Sequence, residues 1–520
     1  MDNFAQYSTL NAANYPEKTW LIERVPSTGS RRSMTWREFN NQTNRVANYL
    51  RDVLSVKKGD SILHLQMNSL EWMTTYFGAL KLGARVVPLN FRFSSPDIKH
   101  AADITKPPVF IFDSKFLPLI RPIQDEMPSI RHYVQIGENC PEDLIDFREM
   151  PEHENEAEAL VDVNPEDDAV YMFTSGTTGD PKPVIHTHKS LLYTGLANSI
   201  SFNVGHSSVE MGAFPLYHAG ILFLNGFPVY LAGGTFVLQT ELGKPQWFLE
   251  CLSEEKVTHS YSAVTPMLDV ISAVKTGKID PENYDFSNLR MLMIGAQPVP
   301  MSVFQDLKRL LNFKMGNVYG ISEFGGGGAT YLFDEDLFDK PGSIGRATCF
   351  TETRIVDNND NAVQTGEVGE LVLKGPRCMK GYLNNQELTS AAIENGWFHT
   401  GDLLYMDQDG YLFYSDRKKD LIIRGGENIF PAEIEDVLHQ NPKIEDAAVV
   451  GYPNPRYGEI ALAVVQLMSG EQSTQQEIIE FCGEQGLAKY KWPEKVVFAS
   501  VPRNPTGKLQ KTVLRDKYCG

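Results

Sequence analysis

The sequence predicts an α/β protein: a large multi-layer N-terminal domain of parallel α/β subdomains with a small β-barrel-like part, then a smaller α+β C-terminal domain. Three observations predict it. Short apolar strands alternate with helix-length segments over the first third of the chain. From about Gly342 to Tyr414 the texture changes to short β runs separated by turns. After the charged cluster Asp416-Arg417-Lys418-Lys419-Asp420 a compact α+β stretch begins. The boundary expected is therefore at that charged segment, with residues 1–415 before it, a polar link at 416–419, and residues 420–520 after it.

The elements follow in order. Thr35-Trp36-Arg37-Glu38 has capping-box spacing and opens a helix running to about Leu54. Gly59-Asp60 turns into the strand Ser61–Leu65, and a helix near Glu71–Leu82 is stopped by Gly83. The apolar run Val86–Leu89 and the strand Val109–Phe112 come next. Residues 137–166 are acidic and read as a surface connection before the strand Ala169–Phe173. Further strands are expected at Glu352–Val356, Glu370–Leu373 and Tyr411–Tyr414. The most apolar stretch, Ala219–Leu238, is long enough to span a membrane. Asn225, Pro228 and Gly233-Gly234 interrupt it, so a buried strand–turn–strand region is expected instead.

Composition narrows the function classes. The 520 residues are 42% hydrophobic and 22% charged, with a net charge of -18. Such a balance disfavours nucleic acid and anionic membrane as partners. Between Arg417 and Gly520, 14 Lys+Arg balance 14 Asp+Glu, so residues 1–416 carry the whole deficit. Within that tail, Lys489–Lys517 holds eight basic and two acidic residues, which is either a solvated basic face or a surface that meets phosphates. The six cysteines are far apart with no CxxC pair, which fits reduced thiols and a cytoplasmic location. Neither a secretory signal nor a peroxisomal or prenylation ending is expected.

The chemistry starts at Thr174-Ser175-Gly176-Thr177-Thr178-Gly179-Asp180-Pro181-Lys182, directly after a strand. Gly176 and Gly179 let the backbone turn tightly and bring N–H groups to an anion. Thr174, Ser175, Thr177 and Thr178 add hydroxyls, and Lys182 adds a positive charge. Position after a strand suits a phosphate loop of an α/β sheet. The spacing is not that of a Walker A loop.

This loop resembles the phosphate loop of the adenylate-forming superfamily, which comprises acyl-CoA synthetases, luciferases and the adenylation domains of peptide synthetases. Pro183 departs from the pattern, standing where that family has Gly. The resemblance continues in order through Phe214–Gly220, Met293–Pro298, Val318–Glu323, Trp397–Asp402, Ser415–Ile422, Gly425–Pro431 and Pro502–Lys508. It implies an ATP-dependent, AMP-forming acid:CoA ligase that uses Mg²⁺.

By that resemblance Lys182 holds the β/γ-phosphates, with Glu323 and Thr174 at the metal. Gly295, Ala296, Gln297, Tyr319, Gly320 and Ser322 surround the adenine side. Asp402 accepts from the ribose hydroxyls, with Tyr414 and Arg417 beside it. Lys508 reaches the substrate carboxylate and the α-phosphate. His218, Ala219, Gly220, Ile321, Gly325 and Gly326 border the acyl pocket, His218 counting with Lys182, Glu323 and Lys508 as catalytic. Lys419 is the hinge residue. Gly425, Gly426 and Glu427 admit the pantetheine arm of CoA, and residues 420–520 move about the 416–419 hinge; the basic run Lys489–Lys517 keeps both of its readings, a solvated face or a surface for the phosphates of CoA.

The glycine run Gly325–Gly328 has two readings, room for a bulky acid or relief of backbone crowding. A medium-chain, branched, alicyclic or aryl monocarboxylic acid is expected ahead of acetate. The partners expected are that acid, ATP and CoA, with a monomer or homodimer. Competing readings are an enzyme that loads an acyl-carrier protein in trans, a luciferase-type oxidation, and a non-catalytic nucleotide-binding regulatory protein.

Overall fold

Three sheets organise the chain in a computed structural model that describes residues 2–159, 161–174, 181–212, 214–241, 243–503 and 509–519. An 8-stranded sheet runs in the order Gly381–Tyr382, Lys182–Thr187, Asp168–Thr174, Arg85–Pro88, Ser61–Leu65, Val109–Asp113, His132–Ile136 and Ile145–Asp146. A 14-stranded sheet has a parallel middle and an antiparallel end, and a 5-stranded sheet holds the C-terminal strands. The expected barrel-like part is that antiparallel end, where Glu352–Val356, Gly369–Lys374, Trp397–Met406 and Leu412–Arg417 pair in turn and continue through Ser343–Ala347 into the large sheet.

Local sequence rules account for the helices that cover these sheets. Thr35 accepts from the Glu38 N–H while Glu38 reaches back to Thr35, and this capping box opens the helix Trp36–Asp52. The helix Leu70–Lys81 stops before Gly83, whose φ is 69°. Between them lies an aromatic core in which the Trp20 and Trp36 rings stack at 4.3 Å and neither side chain is exposed. Burying such rings contributes about 1.5–3 kcal/mol each.

The apolar stretch corrects the sequence reading. Ala219–Leu231 is helical, with a π-turn over Leu222–Gly226, and only Thr235–Gln239 is a strand. Pro228 follows the π segment directly, where the change of hydrogen-bond register accommodates a residue without an N–H. Asn225 and Pro228 therefore mark a change of helical pitch, whereas Gly233-Gly234 turns the chain into the strand. Among the described residues no helix is long and apolar enough to cross a membrane.

The C-terminal sheet carries its own electrostatic tie. Arg503 donates to Asp446 with both Nε (2.7 Å) and Nη2 (2.8 Å), and His439 Nε2 lies 3.2 Å from the same carboxylate. Burial opposes the charge, but these partners outweigh it and hold the Asp446 carboxyl at about 2. A depressed carboxylate stabilises the fold fully above its unfolded value near 3.8 and loses that contribution as pH falls through about 2. Asp446→Asn is therefore expected to raise hydrogen exchange in the strand Ile444–Asn454 at pH 7, corresponding to about 2 kcal/mol. The gap from the parent protein should close between pH 4 and 2; a gap that persists unchanged at pH 2 contradicts the assignment.

Candidate active site

Five parallel strands lie side by side in the order Thr235–Gln239, Val209–Gly212, His259–Ala263, Met291–Gly295 and Met315–Tyr319. Their C-terminal ends share one edge, and the loops leaving such an edge are where open α/β sheets hold ligands. Gly295, Ala296 and Gln297 leave one strand there, and Tyr319, Gly320, Ser322 and Glu323 leave its neighbour. Ala296 has φ 70°, a left-handed conformation that costs an alanine about 1–2 kcal/mol and is kept by its surroundings. His218 caps the helical turn Ala219–Ile221, its Nδ1 accepting from the Gly220 N–H at 3.1 Å. With Nδ1 an acceptor, the neutral ring carries its proton on Nε2.

The antiparallel end of the sheet brings a buried carboxylate to this edge. Asp402 is 3% exposed and pairs in register with Arg417, whose Nε stands 3.4 Å from Oδ1. Tyr319 donates its hydroxyl to Asp402 Oδ2 at 2.6 Å. Burial first, then the neighbouring Asp402 charge, raise the Tyr319 phenol well above its ordinary range, so it stays protonated as a donor. Tyr414 sits on the strand paired with Asp402's, opposite Leu404. Three residues separated by nearly a hundred positions in sequence thus form one cluster.

Thr174 and Lys182 are opposite each other in an antiparallel hairpin, with Thr174 Oγ1 donating to the Lys182 carbonyl at 3.3 Å. After the loop the chain resumes as the strand Lys182–Thr187. Ser175, Gly176, Thr177, Thr178 and Gly179 lie outside the described residues. The Pro183 carbonyl accepts from the Leu383 N–H at 3.0 Å. Carbonyl and N–H of one strand residue point the same way, so the missing donor faces the two-residue edge strand Gly381–Tyr382 and not Thr174's strand. Pro183 thereby leaves the hairpin ladder intact.

Glu323 lies in the short turn Ser322–Phe324, and its placement depends on residues that sequence reasoning missed. Tyr382 donates its hydroxyl to Glu323 Oε1 at 3.1 Å, and the Met379 N–H donates to the Glu323 carbonyl at 2.8 Å. His186 is wholly buried, and burial lowers it to about 4; its Nε2 donates to the Ser322 carbonyl at 2.9 Å. Gly381 and Tyr382 pair with Ile185 and Val184, so one segment ties the hairpin to the Glu323 turn. The available signal was the Gly375-Pro376 and Gly381-Tyr382 punctuation that frames this segment.

The residues expected at the hinge and the CoA approach follow directly after Arg417, and the Lys418 N–H donates to the Gly401 carbonyl at 2.9 Å. The large sheet's last strand ends at Arg417 and the 5-stranded sheet begins at Ile422, leaving Lys419 exposed between them. Gly425 and Gly426 form a two-residue hairpin turn before Glu427, with φ of 60° and 93°. Lys508 lies outside the described residues.

Comparison with known proteins adds an independent line. The family model described as "AMP-binding enzyme" matches residues 9–383, and that described as "AMP-binding enzyme C-terminal domain" matches 433–508. The chain belongs to the AMP-binding enzyme family. A long-chain-fatty-acid–CoA ligase, FadD13 of Mycobacterium tuberculosis, is 36% identical over 500 residues, covering 95% of this chain and 94% of its own. A feruloyl-CoA synthase of an Amycolatopsis species is 32% identical, covering 94% of each. The crystal structure of the anthranilate CoA ligase AuaEII in complex with anthranoyl-AMP superposes with a TM-score of 0.88 at 26% identity, covering 99% and 97%.

In this AMP-binding enzyme the glycine run is crowded, which favours the second of its two readings. A Cβ on Gly326 would lie 2.3 Å from the Ala219 Cβ, and one on Gly328 would lie 2.4 Å from Asn198 Oδ1. Behind the run, Arg377 is 0% exposed and donates to the Gly327 and Gly328 carbonyls and to Thr348 Oγ1. Burial lowers it to about 9. Much of the basic tail of this AMP-binding enzyme is already neutralised: Lys491 pairs with Glu433, Arg503 with Asp446, Lys511 with Glu435, and Arg515 with Asp420. Ion pairing within the C-terminal unit accounts for these four charges without a bound phosphate.

Proposed function

We propose that this AMP-binding enzyme is an ATP-dependent carboxylic acid:CoA ligase. The carboxylate attacks the α-phosphorus, the bond to the β-phosphate oxygen breaks, and pyrophosphate leaves. The CoA thiolate, its proton lost to solvent, then attacks the carbonyl of the mixed anhydride. The C–S bond forms, the C–O bond to phosphate breaks, and AMP leaves. The observation that carries the reading is the Tyr319–Asp402–Arg417 cluster at the strand-end edge, which also presents the Glu323 turn. The similarity to FadD13, the feruloyl-CoA synthase and the anthranilate CoA ligase supports CoA as acceptor.

Each residue has a physical task in this reading. Asp402 accepts from the ribose hydroxyls while Arg417 holds its second oxygen. Tyr319 keeps that carboxylate oriented and offers its ring to adenine. Lys182, opposite Thr174 at the hairpin mouth, meets the departing phosphates. Lys508 neutralises the substrate carboxylate against the α-phosphate. The Glu323 carboxylate and the Thr174 hydroxyl offer only oxygen donors, with Tyr382 fixing the former, and that set fits Mg²⁺. Bound there, Mg²⁺ would neutralise phosphate charge. Gly425 and Gly426 leave the approach to Glu427 free of side chains for the pantetheine arm.

Pyrophosphate release over a panel of acids, with and without CoA, tests the function. Acid-dependent release together with CoA consumption and AMP formation is expected. Release without CoA consumption would move the reading to carrier-protein loading, and no release with any acid would leave a non-catalytic nucleotide-binding protein.

The hinge belongs to the same proposal. Backbone bonds around Lys419 use the N–H groups of Lys418, Asp420 and Leu421, so a proline at 419 removes none of these three. Lys419→Pro is expected to slow thioester formation by about tenfold or more while changing adenylation by less than about threefold. Equal loss in both half-reactions would show that the pivot lies elsewhere.

A further inference from the structure

In the ligase reading the acid lies beside the glycine run, and the structure shows what holds that run in place. Gly325, Gly326 and Gly328 all have left-handed φ, at 75°, 71° and 69°. Their Cβ positions are blocked from three directions, by Thr194 and Asn198 of the helix His188–Ser201 and by Ala219 of the next helical segment. On the remaining side Gly327 is pressed against Gly320, whose Cβ position lies 2.5 Å from the Gly327 Cα. The wall is therefore shut against the helices.

Among the described residues one charged side chain grips it, Arg377. Arg377 donates from Nη1 to the Gly328 carbonyl at 2.8 Å and to Thr348 Oγ1 at 3.1 Å, and from Nη2 to the Gly327 carbonyl. The guanidinium lies over the Phe324 ring at 5.8 Å, and no carboxylate pairs with it among the described residues. Its Nε has no hydrogen-bond partner and lies 3.0 Å from the Cβ position of Gly325. Thr194 Oγ1 and Asn198 Oδ1 are likewise buried without partners on the helix side of the same wall. A buried cation set among carbonyl dipoles, with polar atoms left unpaired around it, is a costly arrangement that hydrophobic packing alone would not need.

We infer that Arg377 is a specificity-determining positioning residue, which clamps the Gly325–Gly328 wall against Ala219 and so limits the ligase to compact acids. This inference rests on the ligase reading and narrows its substrate class. On this inference aryl, branched and medium-chain acids end in front of the closed wall. A long unbranched chain has to part Gly326 from Ala219, and the Arg377 bonds to the two glycine carbonyls oppose that movement.

The test is kcat/KM for acid-dependent pyrophosphate release with benzoate, octanoate and hexadecanoate, on the full chain and on Arg377→Met and Arg377→Lys. The parent enzyme should prefer benzoate or octanoate over hexadecanoate by about tenfold or more. Arg377→Met should shift that ratio toward hexadecanoate by about tenfold, through KM for the acid, with KM for ATP within about twofold. Arg377→Lys, which keeps the charge but loses the planar fork, should fall between. Should Arg377→Met prove unstable, Arg377→Lys decides by the same ratio. A parent enzyme that prefers hexadecanoate overturns the inference. So does a variant that loses activity on all three acids by one factor, or keeps the parent ratio. Absence of release with every acid would instead overturn the ligase reading beneath it.

Discussion

Lys508→Ala is expected to lower acid-dependent pyrophosphate release by about 10²–10³-fold, the loss typical of one transition-state charge contact. A carboxylate approaching a polyphosphate brings like charges together, and a lysine shared between the two oxygens offsets that repulsion only as the new bond forms. The effect should fall on kcat, with little change in the KM for ATP. Thioester formation from supplied acyl-adenylate should persist, because its phosphoryl transfer is already complete. Measuring the two half-reactions separately on one preparation checks this. Equal loss in both would mean that Lys508 supports the fold or the CoA step and not adenylation.

Asp402→Ala should act on the other side of the site. The carboxylate has two tasks in the proposed complex, holding the ribose and holding Tyr319 and Arg417 to one another. Hydrogen bonds to a charged acceptor contribute about 1.5–3 kcal/mol each, so losing the ribose contacts should raise the KM for ATP by about 10²-fold. Tyr319 then has a buried hydroxyl without its acceptor, and a fall of about 1–3 kcal/mol in stability should accompany the kinetic change. Binding of ATP without any acid, followed by titration calorimetry, separates the two. If ATP affinity is unchanged while the KM for the acid rises, Asp402 belongs to the acyl side and the ribose assignment fails.

How legible the site was in the sequence varied with the kind of contact involved. Thr174, Lys182, Tyr319, Glu323 and Asp402 sit in short ordered motifs, which are legible because each is contiguous in the chain. The same is true of the Gly425-Gly426 turn, whose positive φ angles need glycine at both positions. Pro183 was ambiguous in the sequence because its effect depends on which neighbour its missing N–H faces, and strand pairing decides that. In the run Ala219–Leu238 a proline and an asparagine can interrupt a strand or accompany a helical turn widened by one residue, and the sequence alone does not distinguish the two. Packing against Glu210, which accepts from the buried Asn225 at 2.7 Å, is part of the environment that the sequence leaves unstated.

By itself, the sequence determined the α/β class, the strand and helix positions over the first third, and the motif residues from Thr174 to Lys508. Periodicity, capping and turn chemistry act over a few residues, and a chain carries that information wherever it folds. Only the tertiary structure decided that Tyr319, Asp402 and Arg417 form one cluster, that Tyr382 and His186 hold the Glu323 turn, and that Arg377 grips the glycine wall. It also paired four of the eight charges of a basic tail whose two readings the sequence left open. These contacts join residues distant in the chain, and their strength comes from burial and from unpaired polar groups, which exist only once the sheets and helices have excluded water.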